Sequence, residues 1–184
     1  QQDGSAKTRE VKLVTVWSAE GRDKEGVPVR DDGSITYSAA IESAATRDTD
    51  KEPSAVARLA VREATRRRFD KVARRVVLGD GAEWIWNVAA EEFPDAIQIV
   101  DRFHANEHLS DAAKAIYGPR GDLHKEWAHQ RCTDLKAGKI DDVLAALAVH
   151  SCCEEAQACS EYIRKNRNRM RYGEFHAAGL CTST

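Results

Sequence analysis

Apolar and polar residues alternate in part over residues 10–17 (EVKLVTVW), and the β-branched content of that run predicts a strand. Gly21, Gly26, Pro28 and the pair Asp32-Gly33 mark a loop. Residues 35–43 (ITYSAAIES) then return as the second strand of a hairpin, across a connection long for a tight turn. From Pro53 to Phe69 the period changes: Val56, Leu59, Ala60 and Ala64 recur at helical spacing with arginines on the outer face, and Pro53 suits a helix start. Residues 74–79 (RRVVLG) read as a short buried strand, 82–93 (AEWIWNVAAEEF) as a helix stopped by Pro94, and 97–100 (IQIV) as another buried strand. Strand, helix and strand with short connections form a βαβ unit, which predicts parallel pairing with a right-handed crossover. Beyond residue 104 the pattern is helical: 105–117, 121–137, 140–150 and 152–169, punctuated by Gly118, Gly121 and Gly138. The expected class is α/β for residues 1–104, followed by an all-α region over 105–184.

Composition changes this picture little. The 42% apolar and 32% charged residues are those of an ordinary globular protein of 184 residues. No apolar run approaches the roughly 18 residues of a membrane span. The opening QQDGSAKTRE lacks the apolar core of a signal peptide and an initiating Met, which suggests a start inside a longer chain. Five cysteines, an odd number, fit a reduced, cytoplasmic protein. A net charge of −2 argues neither for nor against nucleic acid, because binding depends on local phosphate contacts. Two basic clusters are candidates for such contacts: Arg66, Arg67, Arg68, Arg74 and Arg75; and Arg164, Lys165, Arg167, Arg169 and Arg171. In the run RKNRNRMRYGEF the second cluster is joined by Tyr172 and Phe175, which suits either stacking against DNA or a solvated helix end.

Candidate chemistry sits where acidic residues meet strand ends. Asp80 follows RRVVLG and Asp101 follows IQIV, so a parallel sheet brings both to its carboxyl edge, where α/β proteins bind ligands. Two carboxylates there repel unless hydrogen-bonded, protonated or bridged by a cation, and Mg²⁺ prefers such oxygens. Helix N-capping is the competing reading for each aspartate. Asp101-x-x-His104 adds a histidine one helical turn on; His104 and His108 share a helix face, but the His-Glu-x-x-His order of a zinc site is absent. Cys152, Cys153 and Cys159 lack Cys-x-x-Cys spacing, and neither a phosphate-binding Gly-rich loop nor a nucleophile elbow occurs. Trp84 and Trp86, two positions apart, point different ways, one toward the sheet and one toward the helical region.

The run GDGAEWIWNVAAEEFPDAIQIVDRFHANEHL (79–109) resembles the central motif of bacterial transposases of the Kra-type insertion-sequence group, distant relatives of the Mutator-like transposases. KTREVKLVTVWSAE (7–20), TYSAAIESAATRD (36–48), NRNRMRYGEF (166–175) and AAGLCTST (177–184) resemble further segments of the same family. The resemblance implies an incomplete ribonuclease-H-like core (hairpin, helix, βαβ unit) over 1–104, followed by a helical insertion. It implies double-stranded DNA as partner and a DDE site using Mg²⁺ or Mn²⁺ for strand cleavage and transfer. Asp80 would be the second catalytic aspartate and a metal ligand; Asp101 and His104 would be the supporting Asp-x-x-His pair. The family's first Asp is expected upstream of residue 1 and its Glu beyond Thr184; Asp3-Gly4 is not assigned. One carboxylate alone assembles no two-metal site, so this chain is expected to be inactive by itself. A partial core also exposes strand edges, which predicts reduced stability or self-association into a homo-oligomer. The alternative is a domesticated or decayed remnant serving as a DNA-binding or protein-interaction module.

Overall fold

The structure, a computed structural model, describes residues 9–43 and 54–183. Strands β1 (Arg9–Val16) and β2 (Thr36–Ser43) pair antiparallel in one sheet. The two-residue period puts Val11 and Leu13 on one face with their neighbours Ile41 and Tyr37, and all four are exposed. The opposite face meets helix α1 (Ala55–Arg66), whose buried side carries Val56, Ala57, Glu63 and Ala64. Ser54 caps α1 by accepting a hydrogen bond from the Ala57 N–H (3.2 Å). Pro53, expected at the helix start, lies outside the described residues. The buried Glu63 carboxylate accepts from the Ser38 hydroxyl (3.2 Å) and the Arg66 guanidinium (2.5 Å). Hydrogen bonding to Thr36, then to Arg66, holds its carboxyl below the ordinary value.

Strands β3 (Val76–Gly79) and β4 (Ile97–Val100) form a second, parallel sheet joined by helix α2 (Glu83–Glu92), as the βαβ pattern predicts. Five helices follow: α3 (Arg102–Tyr117), α4 (Leu123–Lys136), α5 (Ile140–Ala148), α6 (Glu154–Asn166) and the short α7 (Tyr172–Ala177). The protein is thus α/β, with two two-stranded sheets among the described residues. None of its described helices is long and apolar enough to cross a membrane.

A continuous apolar core joins β4 to the helices. Ile99 and Val100 cluster with Leu109, Leu135, Leu147, Ile163 and Met170, all fully buried or nearly so, and the cluster extends unbroken across residue 104. Tyr172 is buried in it and donates its hydroxyl proton to the Val100 carbonyl (3.0 Å). Phe175 is buried beside it. The stacking of Tyr172 and Phe175 against DNA is therefore corrected: both rings serve the core.

Among the described residues the two sheets do not pair with each other. A cavity of about 520 Å³ lies between them, lined by Leu13 to Val16 of β1, by Trp17 just beyond it and by Val76 to Leu78 of β3. Val56, Ala60 and Ala64 of α1, and Trp84, Ile85, Val88 and Ala89 of α2, line it as well.

Candidate functional site

The parallel register brings Gly79 beside Val100, so the next residue on each strand, Asp80 and Asp101, emerges at the same carboxyl edge. Neighbouring strands lie about 4.8 Å apart, which makes the two aspartates close neighbours. The Asp101 N–H reaches back to the Gly79 carbonyl (2.7 Å), extending the pairing by one step.

Each carboxylate closes the turn that follows it. Asp80 Oδ1 accepts from the Ala82 N–H (2.8 Å), and Asp101 Oδ1 accepts from the Phe103 N–H (2.8 Å) as the N-cap of α3. Capping, one of the two readings open from sequence, thus holds for one oxygen of each side chain. Asp80 is exposed and Asp101 half-buried, so the edge is open to a ligand.

Helices α3 and α6 roof this edge. His104 and His108, one turn apart on α3, meet edge-on at 5.0 Å between ring centroids. His108 stacks on Tyr162 of α6 (3.9 Å, interplanar angle 28°), and His104 lies 6.3 Å from the same ring. The Tyr162 hydroxyl donates to the Asp80 carbonyl (2.7 Å). Gly81 makes room for this contact: its φ is +99°, and a Cβ there would stand 2.6 Å from Tyr162 Cε2. One turn further along α6, Lys165 pairs with Glu83 (3.0 Å) at the first turn of α2. Helix α6 therefore grips the Asp80 turn at two points.

Electrostatics follow from this packing. Burial, then the neighbouring charge of His104, lowers the pKa of His108, while Asp111, Glu107 and Asp80 pull it back up. Burial raises the Tyr162 phenol, and the charges of Asp80, Cys159 and Asp101 raise it further, so its proton stays in place for the hydrogen bond. Hydrogen bonding to Lys165 holds Glu83 below the ordinary carboxyl value. His104 Nδ1 lies 3.1 Å from Glu107 Oε2.

The structure brings Asp80, Asp101 and His104 to one edge, as their spacing suggested. Among the described residues, no group of three or more histidine, cysteine or acidic side chains is arranged to hold a metal ion. All five thiols are free.

The basic residues of the second cluster are largely engaged within the molecule. Arg167 forms a bidentate pair with Asp141 (2.9 and 2.8 Å), and Arg171 pairs with Glu174 (2.8 Å). Arg169 donates to Gln98 (2.8 Å) and covers the Trp86 ring at 4.7 Å. Lys165 holds Glu83, while Arg164 is exposed on α6. In the first cluster, Arg74 donates to the Ala178 carbonyl, Arg75 pairs with Asp95 (3.5 Å) and Arg66 with Glu63. Trp84 faces the hairpin, where Lys12 sits 4.5 Å from its ring, and Trp86 packs toward the helices.

Sequence reading missed Tyr162 and Glu83 as parts of the site. No spacing rule links Tyr162 to Asp80 across so long a stretch of chain; Gly81, beside an aspartate at a strand end, was the available sign of a tight turn. Comparison with family models, with curated proteins and with solved structures finds no match to this chain. Fold and site together define an α/β protein whose parallel sheet edge carries paired aspartates beneath a helical roof.

Proposed function

We propose that this chain is part of the catalytic core of a bacterial DNA transposase, to which it contributes the carboxylate Asp80. The observation that supports this is the juxtaposition of Asp80 and Asp101 at the carboxyl ends of adjacent parallel strands, with His104 and His108 of α3 beside them. Ligands of open α/β sheets bind at that edge. The order hairpin, helix, βαβ unit is also the one expected of a ribonuclease-H-like core. In this reading double-stranded DNA lies along the open edge, and Arg164, Lys165, Arg167, Arg169 and Arg171 border its path. The protein acts in the bacterial cytoplasm.

Mg²⁺ or Mn²⁺ belongs to this reading only together with further carboxylates, because among the described residues no group of three or more histidine, cysteine or acidic side chains is arranged to hold a metal ion. The chain's own part is to hold Asp80 in place through the Ala82 amide and the Tyr162 hydroxyl. By itself it cleaves no DNA. That incomplete donor set equally suits the second reading, a remnant that binds DNA or protein without chemistry.

Calorimetric titration of Mn²⁺ into the chain and into Asp80→Ala tests the proposal. Weak or absent binding in both is expected. Stoichiometric binding lost in Asp80→Ala would mean that the chain builds a site unaided, and the statement that it is inactive alone would fall. Fluorescence anisotropy with a double-stranded oligonucleotide at low and moderate salt tests the partner. Binding that weakens with salt and with Arg164→Glu is expected. No binding even at low salt would remove DNA contact from the reading.

A further inference from the structure

Arg102 opens α3 two residues before His104, which puts it on the opposite side of that helix from the Tyr162 contact. There α4 and α7 close on one another: a Cβ added to Gly173 would stand 3.3 Å from the Ala137 carbonyl oxygen, just past the end of α4. The chain after α7 returns to the same place, where the Thr182 carbonyl accepts from the Arg102 N–H (2.9 Å). Thr182 Oγ1 lies 2.8 Å from His176 Nε2 and fixes that ring. Lys136 is the last residue of α4. Arg102, His176 and Lys136 thus meet from three helices.

Their charges act on one another. Burial, then Arg102, then Lys136, lowers the pKa of His176. Burial raises the Cys132 thiol, one turn before Lys136 on α4, and Arg102 pulls it back down. The carboxylates nearest along α4 and α7 are engaged elsewhere, Asp134 by Arg131 (2.8 Å) and Glu174 by Arg171 (2.8 Å). Arg102 Nε is buried and, among the described residues, has no hydrogen-bond partner. A buried donor on a charged group is costly to leave without an acceptor, so this N–H marks where an acceptor belongs.

We propose that Arg102, His176 and Lys136 form a binding site for one phosphate group. The Nε–H and a neighbouring Nη–H of a guanidinium make a fork that matches two oxygens of an oxyanion. The Lys136 ammonium and the His176 ring add donors from two other helices, an arrangement that suits tetrahedral phosphate oxygens better than a planar carboxylate. The same three groups repel a metal ion. Arg102 and His176 are half-buried and Lys136 is exposed, so the group enters from solvent past Lys136. Free phosphate and the backbone of a nucleic acid both present this tetrahedral oxyanion. The site does not involve Asp80, and it holds whether or not the chain takes part in DNA chemistry.

The test follows the His176 ring by NMR in the whole chain, its signals assigned by their loss in His176→Gln. Inorganic phosphate is compared with chloride at equal ionic strength, so that general screening is the same in both. A saturable shift with phosphate and none with chloride is expected. Lys136→Ala is expected to weaken binding about tenfold, and Arg102→Lys, which keeps the charge but loses the fork, at least as much. Lys125→Ala, the same loss of charge at the far end of α4, is expected to change nothing. Circular dichroism checks that each variant folds. A phosphate shift displaced by a double-stranded oligonucleotide, or a shift with the oligonucleotide alone, makes the nucleic-acid backbone the source. A phosphate shift that the oligonucleotide leaves in place makes the source free phosphate. No saturable shift with either probe would overturn the proposal. So would binding unchanged in both Lys136→Ala and Arg102→Lys, or weakened equally in Lys125→Ala.

Discussion

Gly81→Ala is the substitution whose effect the geometry fixes most closely. At φ +99° an L-residue is strained by roughly 1–2 kcal/mol. The added methyl would also stand 2.6 Å from Tyr162 Cε2 and 2.9 Å from its hydroxyl oxygen, so the ring must shift. That ring is pinned by its hydrogen bond to the Asp80 carbonyl and by its stack on His108. Losing the hydrogen bond costs about 1 kcal/mol and disturbing the stack about as much again. Gly81→Ala is therefore expected to destabilise the protein by about 3–4 kcal/mol, a shift in melting temperature on the order of 10 °C. A double-mutant cycle isolates the contact: in a Tyr162→Ala background only the backbone strain remains, so the cost of Gly81→Ala falls to about 1–2 kcal/mol. Urea unfolding of the four proteins gives the coupling directly. A coupling below about 0.5 kcal/mol would refute the grip of α6 on the Asp80 turn.

Two further outcomes are expected. Glu63 has a folded-state pKa below its ordinary 4.5, so its contribution to stability is fully present above that pH and is lost as pH falls through the lower folded value. Glu63→Gln should flatten the acid side of the stability profile measured by urea unfolding between pH 3 and 6, and an unchanged profile would show that the Thr36 and Arg66 contacts do not bind that carboxylate. Burial pushes the Cys159 thiol up to about 12, whereas Cys152 is exposed. An aromatic disulfide reagent at pH 8 should label Cys152 first and reach Cys159 only on unfolding; rapid labelling of Cys159 in the folded protein would contradict the packing of α6.

Much of the fold was legible because its elements carry strong local signals. The hairpin strands expected at 10–17 and 35–43 form within a residue of those limits, and Pro94 ends α2 as read. Where limits moved, a cap moved them. Helix α1 stops at Arg66 because Arg68 turns left-handed at φ +54°, and α3 begins at Arg102 because Asp101 accepts the Phe103 amide. Helix α7 was missed, being six residues long with a glycine inside it. The edge position of Asp80 and Asp101 followed from one inference, parallel pairing. Tyr162 did not, because what brings it to Asp80 is the packing of α6 on α3, and helical periodicity names a buried face without naming its neighbour. The basic clusters show the same limit: charge is visible in sequence, but Arg167 on Asp141 and Arg169 on Trp86 are tertiary contacts.

The gap between the sheets also divides the molecule's cooperativity. Every member of the main buried cluster lies between Trp86 and Leu180, while the hairpin and α1 keep a separate small set, Ala40, Val56, Ala57 and Ala64. A layer that shares so little apolar surface with its neighbour opens at a lower free energy than the whole. Heat or denaturant therefore releases the hairpin layer first and the helical body later, and probes placed in the two report different midpoints. The gap is thereby a seam in the protein's folding as much as a feature of its surface.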